Sequence, residues 1–222
     1  MSKIIKALIP VRSGSKRVKN KNIRPFAGSN LLEIKIKQLQ RIKNLDGIVV
    51  NSNDCEMLDI AKSLGAEAVK RDEYYAGDNV TNEMYKNIAE NCRSDIVMYT
   101  NVTSPLITDE TIEKCIDLYM NNKDDSFDSV NTANLVKEFL WLNNKPINYD
   151  PAQTPRSQDL PDITALNFAI NIISRNELIL RKHYIGAKPY LYLVDKIEAI
   201  DIDDMIDFEF AEFMYKKLRS EK

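Results

Sequence analysis

Short apolar runs separated by longer stretches of helical spacing set the rhythm of this chain. IIKALIP (4–10) is an apolar run of strand length, and LLEIKIKQLQRI (31–42) places Leu31, Ile34, Leu39 and Ile42 near the helical period. GIVVNS (47–52) predicts a buried strand. Asn53 then heads NDCEMLDIAKSLG, with Glu56 three positions later and Gly65 at its end; cap, capping-box partner and terminal glycine predict a helix. AEAVKR (66–71) reads as a short strand, 81–91 as a helix, DIVMYT (95–100) as a buried strand, Thr108 as the start of a helix to about residue 120, and SVNTA (129–133) as a strand. Residues 138–174, with Trp141, paired Asn143 and Asn144 and several prolines, break the rhythm and predict a hairpin and irregular arm. From Asp204 onward, Ile206, Phe210, Phe213 and Met214 share one face of a closing helix.

Alternating strands and helices predict an α/β fold, a mostly parallel sheet with helices on both faces. The 222 residues fit one domain, 1–222, carrying 138–165 as an inserted arm. In such sheets ligands sit at the carboxyl ends of the strands. The loops after residues 10 and 100 therefore fall on the binding edge.

Charge sharpens this picture. The formal net charge of −2 hides a strong asymmetry: residues 1–32 hold Lys3, Lys6, Arg12, Lys16, Arg17, Lys19, Lys21 and Arg24 and no acid. Residues 195–213 hold Asp195, Glu198, Asp201, Asp203, Asp204, Asp207, Glu209 and Glu212 against Lys196 alone. The pI near 5.6 argues against general nucleic-acid binding. No apolar run approaches the roughly 18 residues of a membrane span, and MSKIIKALIP reads as a strand rather than a signal peptide, so a cytoplasmic protein is expected. Cys55, Cys92 and Cys115 lack metal-site spacing and read as buried free thiols; His183, the single histidine, reads as solvated and excludes a His-rich metal centre.

Three segments carry candidate chemistry. In VRSGSKRVKNKN (11–22), Arg12, Ser15, Lys16 and Lys21 surround Gly14. Such cations neutralise phosphate oxygens, and glycine lets backbone N–H groups approach them; the spacing is not that of a Walker loop, and a solvated basic loop is the alternative. In IDID (200–203), Asp201 and Asp203 at i and i+2 of an extended segment point to one side and suit Mg²⁺. Asp203 equally suits the N-cap of the closing helix, whereas Asp201 caps nothing, which favours the metal. NVTSPLIT (101–108), with Asn101, Thr103 and Ser104, follows a buried strand and is a candidate substrate loop. A cationic loop and paired carboxylates together fit a nucleoside triphosphate, whose transfer reactions depend on positioning and charge neutralisation.

Taken in order, IPVRSGSKRVKNKN, GDNVTNEMY, TSPLITDETI and EAIDIDDMIDFEFAE resemble the acylneuraminate cytidylyltransferases, the CMP-sialate synthetases and their relatives, over roughly residues 3–215. The resemblance implies a Rossmann-like nucleotidyltransferase fold with a protruding dimerisation arm, hence a homodimer. It also implies an Mg²⁺-dependent reaction of CTP with a sugar acid that gives a CMP-sugar and pyrophosphate. By motif, Arg12, Ser15, Lys16 and Lys21 correspond to the triphosphate loop, Asn22 to a position near ribose and base, and Arg71, Asp78 and Asn82 to the cytosine region. Asp201 and Asp203 correspond to the metal carboxylates, with Arg12, Lys16, Lys21 and Asp201 serving catalysis. Arg156 corresponds to a substrate-region arginine and Lys137 to an arm lysine offered to the partner subunit. The acceptor half departs from the family pattern. Asn101 stands in place of the usual glutamine, Ile107 in place of an arginine, and Ala165-Leu166-Asn167-Phe168-Ala169-Ile170 in place of N-G-A-I-Y.

The expected partners are CTP and a small acidic acceptor, with no nucleic acid and no membrane. The leading expectation is a cytidylyltransferase for an acid sugar of the nonulosonate kind. The alternatives are the same chemistry on a non-sialate acceptor, such as a phosphonate, and a non-catalytic nucleotide-binding homologue.

Overall fold

A computed structural model describes residues 3–77, 80–122 and 126–220. Strands β1 (Ile5–Pro10), β4 (Gly47–Ser52), β5 (Glu67–Lys70) and β6 (Ile96–Tyr99) run parallel, with β1 between β4 and β6. Two tiny strands, β2 (Pro25–Phe26) and β3 (Ser29–Asn30), make a hairpin after the basic loop. Strands β7 (Ser129–Val136), β10 (Ile163–Ser174) and β11 (Pro189–Leu193) complete a seven-stranded sheet of order β11-β7-β10-β6-β1-β4-β5, in which β10 is antiparallel to both β6 and β7. Between β7 and β10 lie the hairpin β8 (Trp141–Leu142) and β9 (Lys145–Pro146) and two single 3₁₀ turns.

Alternate strand residues feed opposite faces of the sheet. Ile9, Val50 and Met98 join the larger core with helices α1 (Leu31–Leu39), α2 (Cys55–Ser63), α4 (Asp109–Met120) and α6 (Met205–Ser220). Leu8, Val49, Val97 and Tyr99 face the other way, onto α3 (Thr81–Glu90) and α5 (Arg175–Arg181). Burial on both faces explains why these strands read as unbroken apolar runs.

Several expectations are corrected here. Helix α2 is capped by Asp54, whose carboxylate accepts the Met57 N–H at 3.1 Å, and Asn53 is left for other work. Residues 163–174, expected to be irregular, form the long strand β10. Its period is hidden by a bulge between Leu166 and Asn171, where Phe168 takes a left-handed backbone (φ 58°). On α6, Ile206, Phe210 and Phe213 are exposed, and Phe208, Ala211 and Tyr215 face the core instead. Cys55 is exposed while Cys92 and Cys115 are buried. His183 is half-buried against the rings of Tyr85 and Tyr184 rather than solvated, and burial lowers its pKa.

Candidate active site

The basic loop leaves β1 at Pro10, and the Val11 N–H continues the ladder to the Asn51 carbonyl (3.0 Å). Gly14 turns the chain with φ +80°, a backbone that side-chain-bearing residues resist. The Asn22 amide donates to the Arg12 carbonyl (3.0 Å), tying the two ends of the loop together. Asn53 braces it from β4: its Oδ1 accepts the Ser13 N–H (3.3 Å), and its Nδ2 donates to Ser13 Oγ (3.1 Å) and Glu73 (3.0 Å). So held, Arg12, Ser15, Lys16, Arg17, Lys21 and Asn22 line a cleft of about 490 Å³ whose far wall includes Asp203.

That far wall is fixed by Ile202. Its side chain is in the core and its N–H donates to the Thr103 carbonyl (2.9 Å), so Asp201 and Asp203 flank an anchored residue. Lys21 Nζ reaches across to the Ile202 carbonyl (2.6 Å), and Arg17 pairs with Asp203. Basic loop and late acidic stretch thus share one cleft.

The competing cap reading of Asp203 is resolved by its neighbours. Asp204 Oδ1 accepts the N–H groups of Ile206 (2.8 Å) and Asp207 (3.1 Å), while Asp207 reaches back to the N–H of Asp203 (2.9 Å) and Asp204 (3.0 Å). This reciprocal capping leaves the carboxylate of Asp203 for the cleft.

The electrostatics follow from burial. Asp201 is pushed above the usual carboxylate range, first by desolvation and then by Asp203, while the Thr103 side chain and Lys21 work the other way. Lys21 is lowered by its own burial, against the pull of Asp201 and Asp203. Among the described residues, Asp201 Oδ1 is buried without a hydrogen-bond partner. A buried carboxylate oxygen with nothing to accept is costly, and a hard cation satisfies it. No cluster of three or more His, Cys, Asp or Glu ligands forms among the described residues. Two carboxylates with phosphate oxygens and water are nevertheless a common magnesium arrangement, so the donor set fits.

Other expected residues are less uniform. Arg71 is buried behind the loop, donates to the Val11 carbonyl, and is lowered to about 10 by burial. Arg12 donates to the Ala76 carbonyl (2.7 Å), joining the loop to the segment before α3. Asp78 lies outside the described residues, and Asn82 is exposed in the first turn of α3 and does not line that cleft. Asn101 and Thr103 are half-buried just past β6, but Ser104 is packed inward, so it does not offer its side chain to the cleft as expected. The Thr100 hydroxyl donates to the Ala169 carbonyl (2.7 Å), which brings the Asn101 segment against the β10 bulge. There Asn167 is buried, its Oδ1 accepting from the Thr132 hydroxyl (2.7 Å) and the Ala169 N–H (3.2 Å). Lys137 is engaged within its own chain, by the Leu160 carbonyl (2.6 Å) and Asp162, and Arg156 pairs with Asp159 (2.7 Å) on the exposed arm. Arg17 in the cleft and Asn53 bracing its loop are the residues sequence reasoning left without this role. The adjacent Lys16-Arg17 pair offered a signal for Arg17, and nothing local did so for Asn53.

Residues 6–212 match the cytidylyltransferase family. The chain belongs to that family. It is thereby a nucleotidyltransferase that uses CTP. Over 98% of its length it is 26% identical to the post-translational flagellin modification protein B of Campylobacter coli, covering 97% of that protein. It is 26% identical to the pseudaminic acid cytidylyltransferase of Campylobacter jejuni, over 94% of this chain and 95% of that one. The N-acylneuraminate cytidylyltransferase of Escherichia coli is also 26% identical, and the chain spans 54% of it. The solved CMP:2-keto-3-deoxy-manno-octonic acid synthetase superposes with a TM-score of 0.70 at 13% identity, covering 96% of this cytidylyltransferase and 99% of that chain, a likeness of fold.

Proposed function

We propose that this cytidylyltransferase transfers CMP from CTP to an acidic sugar of the nonulosonate kind, with Mg²⁺, and releases pyrophosphate. The observation that carries the reading is the single cleft in which Arg12, Lys16, Arg17 and Lys21 face Asp203, with Asp201 two residues away and close enough to act on the Lys21 charge. Cations of the loop bind and orient the triphosphate, and their charge offsets the negative charge on the departing pyrophosphate. An acceptor hydroxyl, releasing its proton to solvent, forms the new P–O bond at the α-phosphorus while the bond to the bridging oxygen breaks and pyrophosphate leaves with that oxygen. Lys21, anchored on the Ile202 carbonyl, stands between loop and carboxylates. Asp201 and Asp203 would hold the magnesium ion, which supplies charge neutralisation at the reacting phosphate. Arg71 and Asn22, buried behind the loop, support the nucleoside end.

The nonulosonate class is favoured by relatives named for pseudaminic acid and N-acylneuraminate, at full coverage of this chain or nearly so. A second reading keeps CTP and takes a smaller acidic acceptor such as a phosphonate. It is favoured by the short Asn101 side chain and by Phe168, whose ring packs on Tyr184 at the acceptor side. The homodimer is proposed on the exposed apolar hairpin of the arm, and the cytoplasm as the compartment that supplies CTP.

The deciding measurement is pyrophosphate release from CTP over a panel of N-acetylneuraminate, pseudaminate, 3-deoxy-manno-octulosonate and alkyl phosphonates. Turnover with one of the sugar acids is expected. Release with a phosphonate alone would overturn the sugar-acid reading and keep the chemistry.

A further inference from the structure

Helix α1 and the turn after it carry a polar stripe, Lys35, Gln38 and Arg41, on the side that meets the loop after β6. Lys35 is wholly buried (0% exposed), an unusual place for a lysine. Its Nζ donates to the Ser104 carbonyl (3.0 Å) and to Gln38 Oε1 (3.1 Å). Gln38 Nε2 in turn donates to the Ile107 carbonyl (2.7 Å) and to Asp109 (3.0 Å), and Arg41 forks onto the same carboxylate (2.7 and 3.0 Å). The stripe grips 104, 107 and 109 in turn, the whole exit of the loop. From its other side the loop is held by the acidic wall: the Thr103 carbonyl accepts the Ile202 N–H (2.9 Å), and the Thr103 side chain bonds to Asp201.

A methionine or leucine would fill the space of Lys35 without the cost of taking an ammonium group out of water. What only the lysine adds is a charge-assisted donor aimed at a backbone carbonyl next to Thr103. We propose that Lys35 is a positioning residue of the transfer reaction, fixing from inside the core the loop that carries Asn101 and Thr103. Desolvation pushes its ammonium down to about 7, with Asp109 opposing, so its grip weakens as the charge is lost near neutrality. The charged group acting on it is Asp109 on α4, whose carboxylate also pairs with Arg41 in the turn after α1, with Tyr215 on α6 close to that pair. The ordering of the loop stands on these contacts alone; its consequence for the acceptor rests on the function proposed above.

Lys35→Met keeps the stem and removes the donor. Amide hydrogen exchange across 101–107 of the full chain should quicken about tenfold, the scale of one charge-assisted hydrogen bond, with β1 and β4 unchanged. With CTP and N-acetylneuraminate, the KM of the acid should rise by a similar factor while the KM of CTP stays put. Lys35→Gln, one atom shorter yet still a donor, should restore part of both. Unchanged exchange across 101–107 in folded Lys35→Met would overturn the proposal. Should that variant fail to fold, Lys35→Gln decides: an uncharged donor one atom short should still leave exchange across 101–107 severalfold faster than in the parent, and parent-like exchange there would overturn it. Loss of protection with no sugar acid turning over would keep Lys35 in this role and sink the acid-sugar reading instead.

Discussion

Three aspartates within four residues do three different things. Asp204 caps α6, Asp203 pairs with Arg17, and Asp201 is half-buried with one enclosed oxygen unsatisfied among the described residues. Asp201→Ala should lower kcat by about 100-fold or more, since it removes a proposed magnesium ligand. It should not lower the melting temperature, because a carboxylate raised by desolvation is a charge the fold pays to bury. Asp204→Ala should show the reverse, losing about 1 kcal/mol of stability as a lost cap does while kcat stays within a few-fold. Thermal melts and steady-state kinetics on the two variants would check both. Lys35 gives a prediction in pH. Its folded value near 7 lies below the unfolded 10.5, so between these the unfolded chain binds more protons and stability rises with pH. The difference in urea midpoint between parent and Lys35→Met should therefore shift in the parent's favour from pH 7 to pH 9, and a constant difference would contradict the assignment.

At the scale of elements, what could be read ahead was what local spacing controls. The runs that became β1, β4 and β6 are buried on both faces and announce themselves as apolar stretches, and Thr108 caps α4 as its position predicts, accepting the Thr111 N–H at 3.2 Å. What stayed hidden depended on distant contacts. Asn53 and Asp54 are both good caps, and only the pull of Ser13 and Glu73 on Asn53 decides that Asp54 does the capping. Asp54→Ala should cost about 1 kcal/mol by chemical denaturation and leave the KM of CTP alone. Asn53→Ala should instead raise that KM severalfold, because it unpins the loop at Ser13. In β10, asparagines at 167 and 171 bond across to Thr132 and Asn131 (2.7 and 2.9 Å), so its polar positions are interior. A reading that sorts polar residues outward cannot see that strand.

The whole molecule answers why a nearly neutral chain concentrates its charge at its two ends. Parallel crossovers bring the first strand and the segment before the last helix to one sheet edge, where Lys21 and Arg17 meet Ile202 and Asp203. The place of the basic loop was legible, because strand order puts loops after strands on the ligand side; that the acidic stretch meets it was legible from opposite charge and from the family resemblance. Surface chemistry was not. Trp141, Leu142 and Ile147 on the arm are 54%, 62% and 56% exposed, and Ile206, Phe210 and Phe213 form a second outward row on α6, just beyond Asp203. The arm is internally braced: the Trp141 indole donates to the Tyr149 hydroxyl (2.9 Å), whose ring packs edge-on against Phe139. Exposed apolar residues on a braced support are a preformed contact surface rather than a loose tail. If a second copy covers them, sedimentation at micromolar concentration should give a homodimer, and Trp141→Glu with Leu142→Glu should give a folded monomer. Because the outward row begins beside the acidic wall, turnover per chain should fall with the dimer as the parent is diluted, and the double variant should turn over slowly at every concentration. A monomeric parent that turns over at the same rate per chain at every concentration would mean that each cleft is complete on its own.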